Sequence, residues 1–371
     1  APFRAMYIAK QCIAELTAYE VLSTLINFFF ILYMSTQSGI WLTRFAAWAC
    51  FISVMPNVLI SIRAMMIFDE CRYKGAYLLS RVRFVALGNF VGWQAFAGVG
   101  TILKTQGLAI LVNRYFGPIG NASQGVANSV ATKADSFAGG MAAAFAPAIT
   151  AAYGSGDLSR MRTLAYIVCK YGTMMILVFI LPMSLELSAI LKMWLKDPPE
   201  AACGLTLCVM AGLLIDRLSF GQKLAVAARG KIARYEFISG IAIMATLPVA
   251  LVLVMIFKSI YWVGVAIVFS MAMLAIIRIW LARDLVGMSS LYWVRRILFP
   301  IVWSIILSVA VGILPVYYFP SSRLRLLLTL PLTEFAFVLV SWVIVFTKDE
   351  REDVLSRSKR KISSVLKRVQ R

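Results

Sequence analysis

Long apolar stretches dominate the chain, and short polar segments separate them. A helix needs about 20 predominantly apolar residues to cross the hydrocarbon core of a bilayer. Such stretches lie at 17–35, 40–68, 85–113, 121–152, 163–191, 200–227, 235–257, 259–282, 296–319 and 325–346. Glycine, proline, asparagine and serine mark the turns between them. The pattern predicts ten membrane-spanning helices and disfavours spanning strands, which are about ten residues of alternating polarity.

The composition supports an all-α integral membrane protein that is a polytopic helical bundle. Apolar residues make up 61% of the chain and charged residues only 15%, against about 45–50% and about 25% in soluble domains. The chain has no histidine, the commonest general base and metal ligand, and its six cysteines form no CxxC pair. We therefore predict no enzyme activity, no cofactor and no metal site.

The basic residues indicate how the spans are oriented. The formal net charge is +20, but most Lys and Arg residues lie in alternate short loops and in the C-terminal tail rather than in one patch. Loops that carry an excess of Lys and Arg stay in the cytoplasm. The pattern predicts a multi-pass protein with both ends in the cytoplasm, and no nucleic-acid partner.

A short repeat indicates the domain organisation. Tyr19-Glu20-Val21-Leu22-Ser23 opens the first predicted span, and Tyr235-Glu236-Phe237-Ile238-Ser239 opens the seventh. Six spans separate the copies, so both face the same way, as in a parallel repeat of two six-span lobes. The chain also starts as if a span were already under way, so we expect a truncated chain whose first lobe lacks four spans. The predicted parts are the end of an N-terminal lobe (1–83), a C-terminal lobe (84–285), two additional spans (286–346) and a basic tail (347–371).

The basic tail contains small apolar groups among its Lys and Arg residues. This pattern is typical of a helix that lies on anionic lipid. A solvated tail that only reinforces the orientation explains the pattern equally well.

Three basic residues lie deep inside predicted spans. Lys104, Lys133 and Arg217 are nine or more residues from either span end, and such a residue costs about 2.5–3.5 kcal/mol unless it faces protein, water or a counter-charge. They therefore predict a polar cavity. Residues nearer span ends are expected to snorkel to the interface; these are Arg44, Lys170 and Arg278. For Arg63 and Lys223, which are slightly deeper, both interpretations stay open.

Polar residues surround these cations at helical spacing. One row on the fourth span consists of Gln124, Asn128, Thr132, Asp135 and Gly139, and a second row beside it of Ser129, Lys133, Ser136 and Gly140. A weaker stripe on the third span consists of Gln94, Gly98, Thr101, Lys104 and Thr105. Lipid does not tolerate a broad polar face, so these helices are expected to line the cavity.

Carboxylates within spans are the candidates for ion coupling. An intramembrane carboxylate can be a proton or sodium coupling site, or the structural partner of a cation. We consider Asp135, Asp216 and Glu186 as coupling candidates, with structural pairing as the alternative. Glu20 and Glu236 lie at matching span starts and are expected to be interfacial.

Several motifs, in order along the chain, resemble Wzx-type polysaccharide (O-antigen) flippases. The segment 112–127 (VNRYFGPIGNASQGVA) is similar to a helix that ends at Phe-Gly-Pro and restarts after Asn-Ala. Ala146-Pro147-Ala148-Ile149 and Tyr153-Gly154-Ser155-Gly156-Asp157-Leu158 resemble the Asn-Pro-x-Ile and Tyr-x-x-Gly-Asp-Leu signatures of that family. The likeness continues through Leu181-Pro182, Trp194-Leu195, Leu214-Ile215-Asp216 and Gly230-Lys231-Ile232. It covers most of residues 1–285, and it departs from the family at Ala146 and Lys133.

The resemblance implies a member of the multidrug/oligosaccharidyl-lipid/polysaccharide (MOP) exporter superfamily. Such proteins have fourteen spans in two lobes that form a V, and they carry undecaprenyl-diphosphate-linked sugar repeats across the bacterial inner membrane by alternating access. Their partners are the lipid-linked oligosaccharide, the bilayer and other polysaccharide-assembly membrane proteins.

The expected substrate-binding cations are Lys104, Lys133, Arg217 and Arg63. The expected polar cavity residues are Gln94, Asn113, Gln124, Asn128 and Thr132. The expected hinge residues are Gly117, Pro118, Gly125 and Pro147.

Three alternatives to a flippase fit parts of the sequence. A MATE-like cation-coupled drug or metabolite exporter of the same superfamily should favour acidic linings, whereas basic and acidic residues are mixed here. A polytopic glycan polymerase or acyltransferase should carry a histidine or a carboxylate cluster in a long outward loop. A truncated chain that is inactive is the third alternative.

Overall fold

The computed structural model of the chain describes residues 2–10, 12–36, 41–71, 81–320, 322–352 and 356. Within these residues the regular structure is helical and contains no strand. Eight of their helices are long and apolar enough to cross a membrane, or nine if one bent pair counts as a span. The predicted class, an all-α polytopic membrane protein, is therefore confirmed. The count of ten spans and the two-lobed arrangement stay predictions.

The chain forms two compact units, Ala1–Phe84 and Val85–Arg371. The helices of the first unit are α1 (Pro2–Ala9), α2 (Ile13–Ser35) and α3 (Trp41–Ile67), followed by a 3₁₀ turn (Asp69–Cys71). Tyr7, Leu16, Ile60, Ala64 and Phe68 form its core. The ring of Tyr7 meets that of Phe68 edge to face at 5.2 Å between centroids. The core thus ties the short first helix to α2 and to the end of α3.

The second unit begins within α4 and continues to the end of the described chain. Its helices are α4 (Arg81–Gly154), α5 (Leu158–Leu185), α6 (Leu187–Leu195), α7 (Ala202–Leu218), α8 (Phe220–Ala228), α9 (Ala233–Met244), α10 (Thr246–Phe257), α11 (Tyr261–Val286), α12 (Ser290–Trp293), α13 (Phe299–Tyr318) and α14 (Arg323–Ile344). A π-helical turn, Val294–Leu298, joins α12 to α13.

Gly117 interrupts α4. Its φ of 68° and ψ of −169° are not helical, and glycine adopts such a conformation far more readily than any residue with a Cβ. Pro118 follows and cannot donate a backbone hydrogen bond. The break divides α4 into arms 81–116 and 118–154, close to the predicted spans 85–113 and 121–152. At Gly125 and Pro147, the other predicted hinge residues, the second arm stays helical.

The helix α11 is central to the second unit. It packs against α7, α8, α9 and α10, while α13 and α14 pack against each other and against α5. Residues 286–346, predicted as two additional spans, thus lie in the same unit as 85–285. The approach of α8 to α5 is close at Gly221, where a Cβ would overlap the backbone carbonyl of Ala165. This approach requires glycine and fixes the helix that carries Lys223.

Lys170 is buried rather than snorkelling to an exposed interface. Its side chain lies on α5, the residue is 6% exposed, and its Nζ donates to Oε2 of Glu350 at 2.5 Å. Burial alone would raise the pKa of Glu350, but hydrogen bonds from Lys170 and from the Thr347 amide lower it below the ordinary value. The prediction for Lys170 was wrong because the chain beyond α14 folds back over α5 and supplies a carboxylate.

We expect Glu350→Gln to destabilise the protein by about 1–3 kcal/mol, because Lys170 would be left buried without its counter-charge. Since the folded state lowers the pKa of Glu350, the ion pair stabilises the protein above the ordinary glutamate pKa of 4.5. That contribution is lost as pH falls through the lowered value. Thermal unfolding in detergent as a function of pH measures both effects. The exposed Glu352 provides the control, and equal melting temperatures of Glu350→Gln and Glu352→Gln at neutral pH would contradict the prediction.

Candidate functional site

A cavity of about 500 Å³ lies within the second unit, between α4, α7, α8, α9 and α11, and both apolar and charged residues line it. Both arms of α4 contribute to it, so the wall crosses the break at Gly117. Its polar and charged lining residues are Thr101, Lys104, Thr105, Asn128, Thr132, Asp135, Asp216, Arg217, Lys223 and Arg278. The remaining lining is mostly aliphatic. The cavity therefore brings six charged side chains of the unit together in one place.

The second arm of α4 presents one face to this cavity. Asn128, Ala131, Thr132 and Asp135 line it, and their spacing of three, four and seven residues is that of a single helical stripe. Lys133 is five residues from Asn128, which places it roughly 140° around the helix. Its side chain is exposed and does not line the cavity. Lys133, predicted as a cavity cation, thus belongs to the second of the two adjacent polar rows, which turns away from this cavity.

A bend between α7 and α8 brings two further cations to the cavity. The two helices meet at Ser219 with an angle of 42° and together have the length and composition of one span. Phe220 starts the second helix, and its ring centroid lies 4.3 Å from Cζ of Arg217 and 5.6 Å from Nζ of Lys223. Cation–π contacts of this kind stabilise a positive charge out of water. The bend thus directs Arg217 and Lys223 toward the same ring and the same space.

Arginines neutralise both carboxylates of the cavity. Arg217 forms an ion pair with Asp135 across the cavity wall. Nη1 of Arg278 donates to Oδ1 of Asp216 at 2.7 Å and to Oγ of Ser219 at 3.3 Å. Asp216 also has a second, more distant arginine neighbour, because Nε of Arg217 lies 3.9 Å from its Oδ2. These pairs join α4, α7 and α11, so each carboxylate has a structural partner.

The two lysines of the cavity have no such partner. Among the described residues, neither Lys104 nor Lys223 forms an ion pair, and Nζ of Lys104 makes its only hydrogen bond, at 3.8 Å, to Sδ of Met271. Four cations therefore face two carboxylates, and the lysines provide the surplus positive charge. Charges interact more strongly in a low-dielectric cavity than in water. The arrangement is suited to binding an anion.

A second, smaller cavity of about 180 Å³ adjoins the first. It is lined by Gln94, Ala97, Gly98, Thr101, Lys223, Tyr235, Glu236, Ser239, Ile243 and Arg278. Thr101, Lys223, Ile243 and Arg278 line both cavities. Glu236 lies in the first turn of α9 and is only 4% exposed, so the protein encloses its side chain. Its counterpart in the sequence repeat, Glu20, is exposed and forms an ion pair with Arg4.

The structure brings together six of the residues selected from the sequence. Those that line the larger cavity are Lys104, Asn128, Thr132, Asp135, Asp216 and Arg217. Gln94 lines the smaller one, and Gln124 is buried and donates to Oδ1 of Asn128 at 3.2 Å. The amide of Gln124 therefore orients a cavity residue without lining the cavity.

Three other selected residues do not line this site. Asn113 is exposed and lines neither cavity. Glu186 is buried at the end of α5 and accepts from Nη2 of Arg325 at 2.7 Å and from Oγ1 of Thr329 at 3.0 Å, so its role here is a structural ion pair. Arg63 belongs to the first unit, where its Nε donates to Glu15 at 3.1 Å.

Arg278 and Lys223 were not among the site residues selected from the sequence. Arg278 is four residues from the predicted end of its span, which made snorkelling the simpler interpretation, yet it is 5% exposed. The presence of Asp216 within a span did indicate that a basic partner exists, because an intramembrane carboxylate needs a counter-charge on a neighbouring helix. Helix pairing cannot be deduced from hydropathy, so the partner remained unidentified.

No protein-family model, curated protein or solved structure matches this chain. The functional assignment therefore depends on the chemistry of the cavity. The chain contains no histidine, and both carboxylates of the larger cavity are held by arginines. Within the larger cavity this arrangement favours the binding of an anion.

Proposed function

We propose that this protein is a flippase of the Wzx type, which carries undecaprenyl-diphosphate-linked oligosaccharide across the bacterial inner membrane by alternating access. The observation that carries the proposal is a pair of cations, Lys104 and Lys223, that line an intramembrane cavity and form no ion pair with any residue that the structure describes. A diphosphate supplies the negative counter-charge that these two lysines lack. The sequence resemblance to polysaccharide flippases supplies the class of lipid and the role in O-antigen, capsule or exopolysaccharide assembly.

The geometry fits a substrate of this kind. The cavity is within the range of about 300–1,000 Å³ that is usual for ligand sites, so it has room for a diphosphate and the first sugars of a repeat. Hydroxyl and amide groups of Thr101, Asn128 and Thr132 line it and can hydrogen-bond sugar hydroxyls. The prenyl chain stays in the bilayer while the head group crosses. Other polysaccharide-assembly membrane proteins are the expected partners, and both chain ends face the cytoplasm.

A cation-coupled drug or metabolite exporter is supported less well. An exporter of cationic compounds needs an available carboxylate in its substrate cavity, whereas the two carboxylates of the larger cavity, Asp135 and Asp216, are already paired with arginines. The surplus lysines would also repel a cationic substrate. A polymerase or acyltransferase is disfavoured by the absence of histidine from the chain.

Transport in proteoliposomes tests the proposal. The chain is reconstituted with a fluorescent prenyl-diphosphate-linked sugar, and a membrane-impermeant quencher measures the fraction of probe in the outer leaflet over time. We expect the protein to make the whole pool of probe accessible, whereas protein-free vesicles protect the inner-leaflet half. A prenyl-linked sugar without phosphates is the matched control and should not be flipped. Equal flipping of both probes, or of neither, would contradict the proposal.

A further inference from the structure

Glu236 is a buried carboxylate without a bonded partner. Its side chain lines the smaller cavity from α9 and makes no hydrogen bond or ion pair with any residue in the described ranges. The other intramembrane carboxylates near the site, Asp135 and Asp216, are each joined to an arginine. A buried carboxylate without a direct partner is costly when ionised. Glu236 is therefore the group at this site whose charge is least firmly held.

The cations nearest to Glu236 also belong to the substrate cavity. Lys223 and Arg278 line both cavities, and Glu236 interacts electrostatically with both. In the empty protein they stabilise its carboxylate. An anion in the larger cavity would interact with the same two cations and weaken their interaction with the carboxylate of Glu236. The carboxylate and a bound anion thus compete for Lys223 and Arg278.

We propose that Glu236 is an internal competitor of the substrate anion, so that anion binding in the larger cavity is linked to uptake of one proton by Glu236. The inference rests on the proposed function, because it takes a lipid-linked diphosphate as the anion. The proton comes from water or buffer and joins the carboxylate oxygen, and it returns when the anion leaves. Because linkage is reciprocal, protonation of Glu236 strengthens anion binding by the same factor.

The charged and titratable groups around Glu236 agree with this role. They are Lys223 on α8, Arg278 on α11 and the phenol of Tyr235 on α9, while α4 contributes the uncharged Gln94 and Thr101. Asp216, the nearest other carboxylate to Arg278, keeps its own hydrogen bond at 2.7 Å. The two cations would repel a sodium ion at this place. Proton exchange is therefore the form of coupling that the surroundings favour.

Calorimetry can count the proton directly. The chain in lipid nanodiscs is titrated with farnesyl-diphospho-N-acetylglucosamine, whose two phosphates each keep a single charge from mildly acidic to mildly basic pH. Titrations in buffers of different ionisation enthalpy give the number of protons taken up. We expect uptake that approaches one, and a Kd that falls by at most about tenfold per unit of pH decrease.

Substitution of Glu236 identifies the group. Glu236→Gln resembles the protonated form, so it should bind the probe at neutral pH as tightly as the native protein binds at acidic pH, with no proton uptake. Glu236→Asp should restore uptake. Glu334→Gln removes a half-buried carboxylate on α14, outside both cavity linings, and should leave the proton count unchanged.

The outcomes separate this inference from the proposed function. If the native protein does not bind the probe, the flippase proposal itself is overturned. If it binds without proton uptake, or if uptake persists in Glu236→Gln, the flippase proposal stands and the role of Glu236 is refuted. The proton count of the native protein needs no variant, so this test holds even when Glu236→Gln fails to fold.

Discussion

Replacement of Lys104 by methionine is expected to slow transport of the lipid-linked diphosphate by about tenfold to a hundredfold. Lys104 lines the larger cavity and has no carboxylate partner among the described residues, so its charge is available to the substrate. A hydrogen bond to a charged group contributes about 1.5–3 kcal/mol, which corresponds to that range of affinity. The proteoliposome assay measures the loss, at substrate concentrations below saturation.

Stability should change in the opposite direction in the same variant. Methionine has a similar length and needs no counter-charge, so Lys104→Met removes the desolvation cost of an unpaired ammonium group. We therefore expect a melting temperature equal to or above that of the native protein. If Lys104 had a structural role, its substitution would lower the melting temperature of the protein. The combination of weaker transport with unimpaired stability is typical of a residue kept for binding.

Lys133 provides the matched control for Lys104. Both lie in α4, far from the ends of their predicted spans, but Lys133 is exposed and does not line the cavity. Lys133→Met should transport at the native rate. Equal losses in the two variants would mean that overall positive charge in α4, rather than the position of Lys104, governs transport.

The sequence predicted the helices and one wall of the cavity, for a physical reason. Helical spacing converts directly into a face, so the row that contains Asn128, Thr132 and Asp135 could be recognised from a single segment. Residues one position away lie about 100° around the helix. Lys133, beside Thr132, therefore belongs to the second row, which turns away from the cavity. Hydropathy shows that a helix has a polar face but not how wide the packed part of that face is.

The rest of the site depends on which helices are neighbours. Arg278 pairs with Asp216 because α11 packs against α7, and no periodicity within either helix contains that information. Likewise Glu20 and Glu236 occupy the same place in a sequence repeat, yet one is exposed and the other lines a cavity. A local motif predicts local structure, whereas the environment of a charged group is decided by contacts between distant segments.

Arg278→Met is expected to destabilise the protein by about 3–5 kcal/mol, the cost of removing one partner from a buried ion pair. Asp216 would lose its hydrogen bond at 2.7 Å and keep only Nε of Arg217 at 3.9 Å. Arg234→Met is the matched control, because its ion pair with Asp284 has almost the same length, 2.6 Å, but is about half exposed on both sides. Exposed pairs contribute about 0–1 kcal/mol.

A double-mutant cycle separates the ion pair from packing. Asp216→Leu removes the carboxylate that Arg278→Met leaves without a partner, so the double variant should recover most of the lost stability, since an apolar pair often replaces a buried ion pair at little cost. The unfolding free energy of the four proteins, measured by thermal denaturation in the same detergent, gives the coupling energy. A strictly additive result would mean that Asp216 and Arg278 do not depend on each other. A loss of unfolding free energy in Arg278→Met that is no greater than in Arg234→Met would mean that the Asp216–Arg278 pair is in contact with water. Either result would remove the rigid connection between α7 and α11 and, with it, the reason for regarding Asp216 as unavailable to a substrate cation.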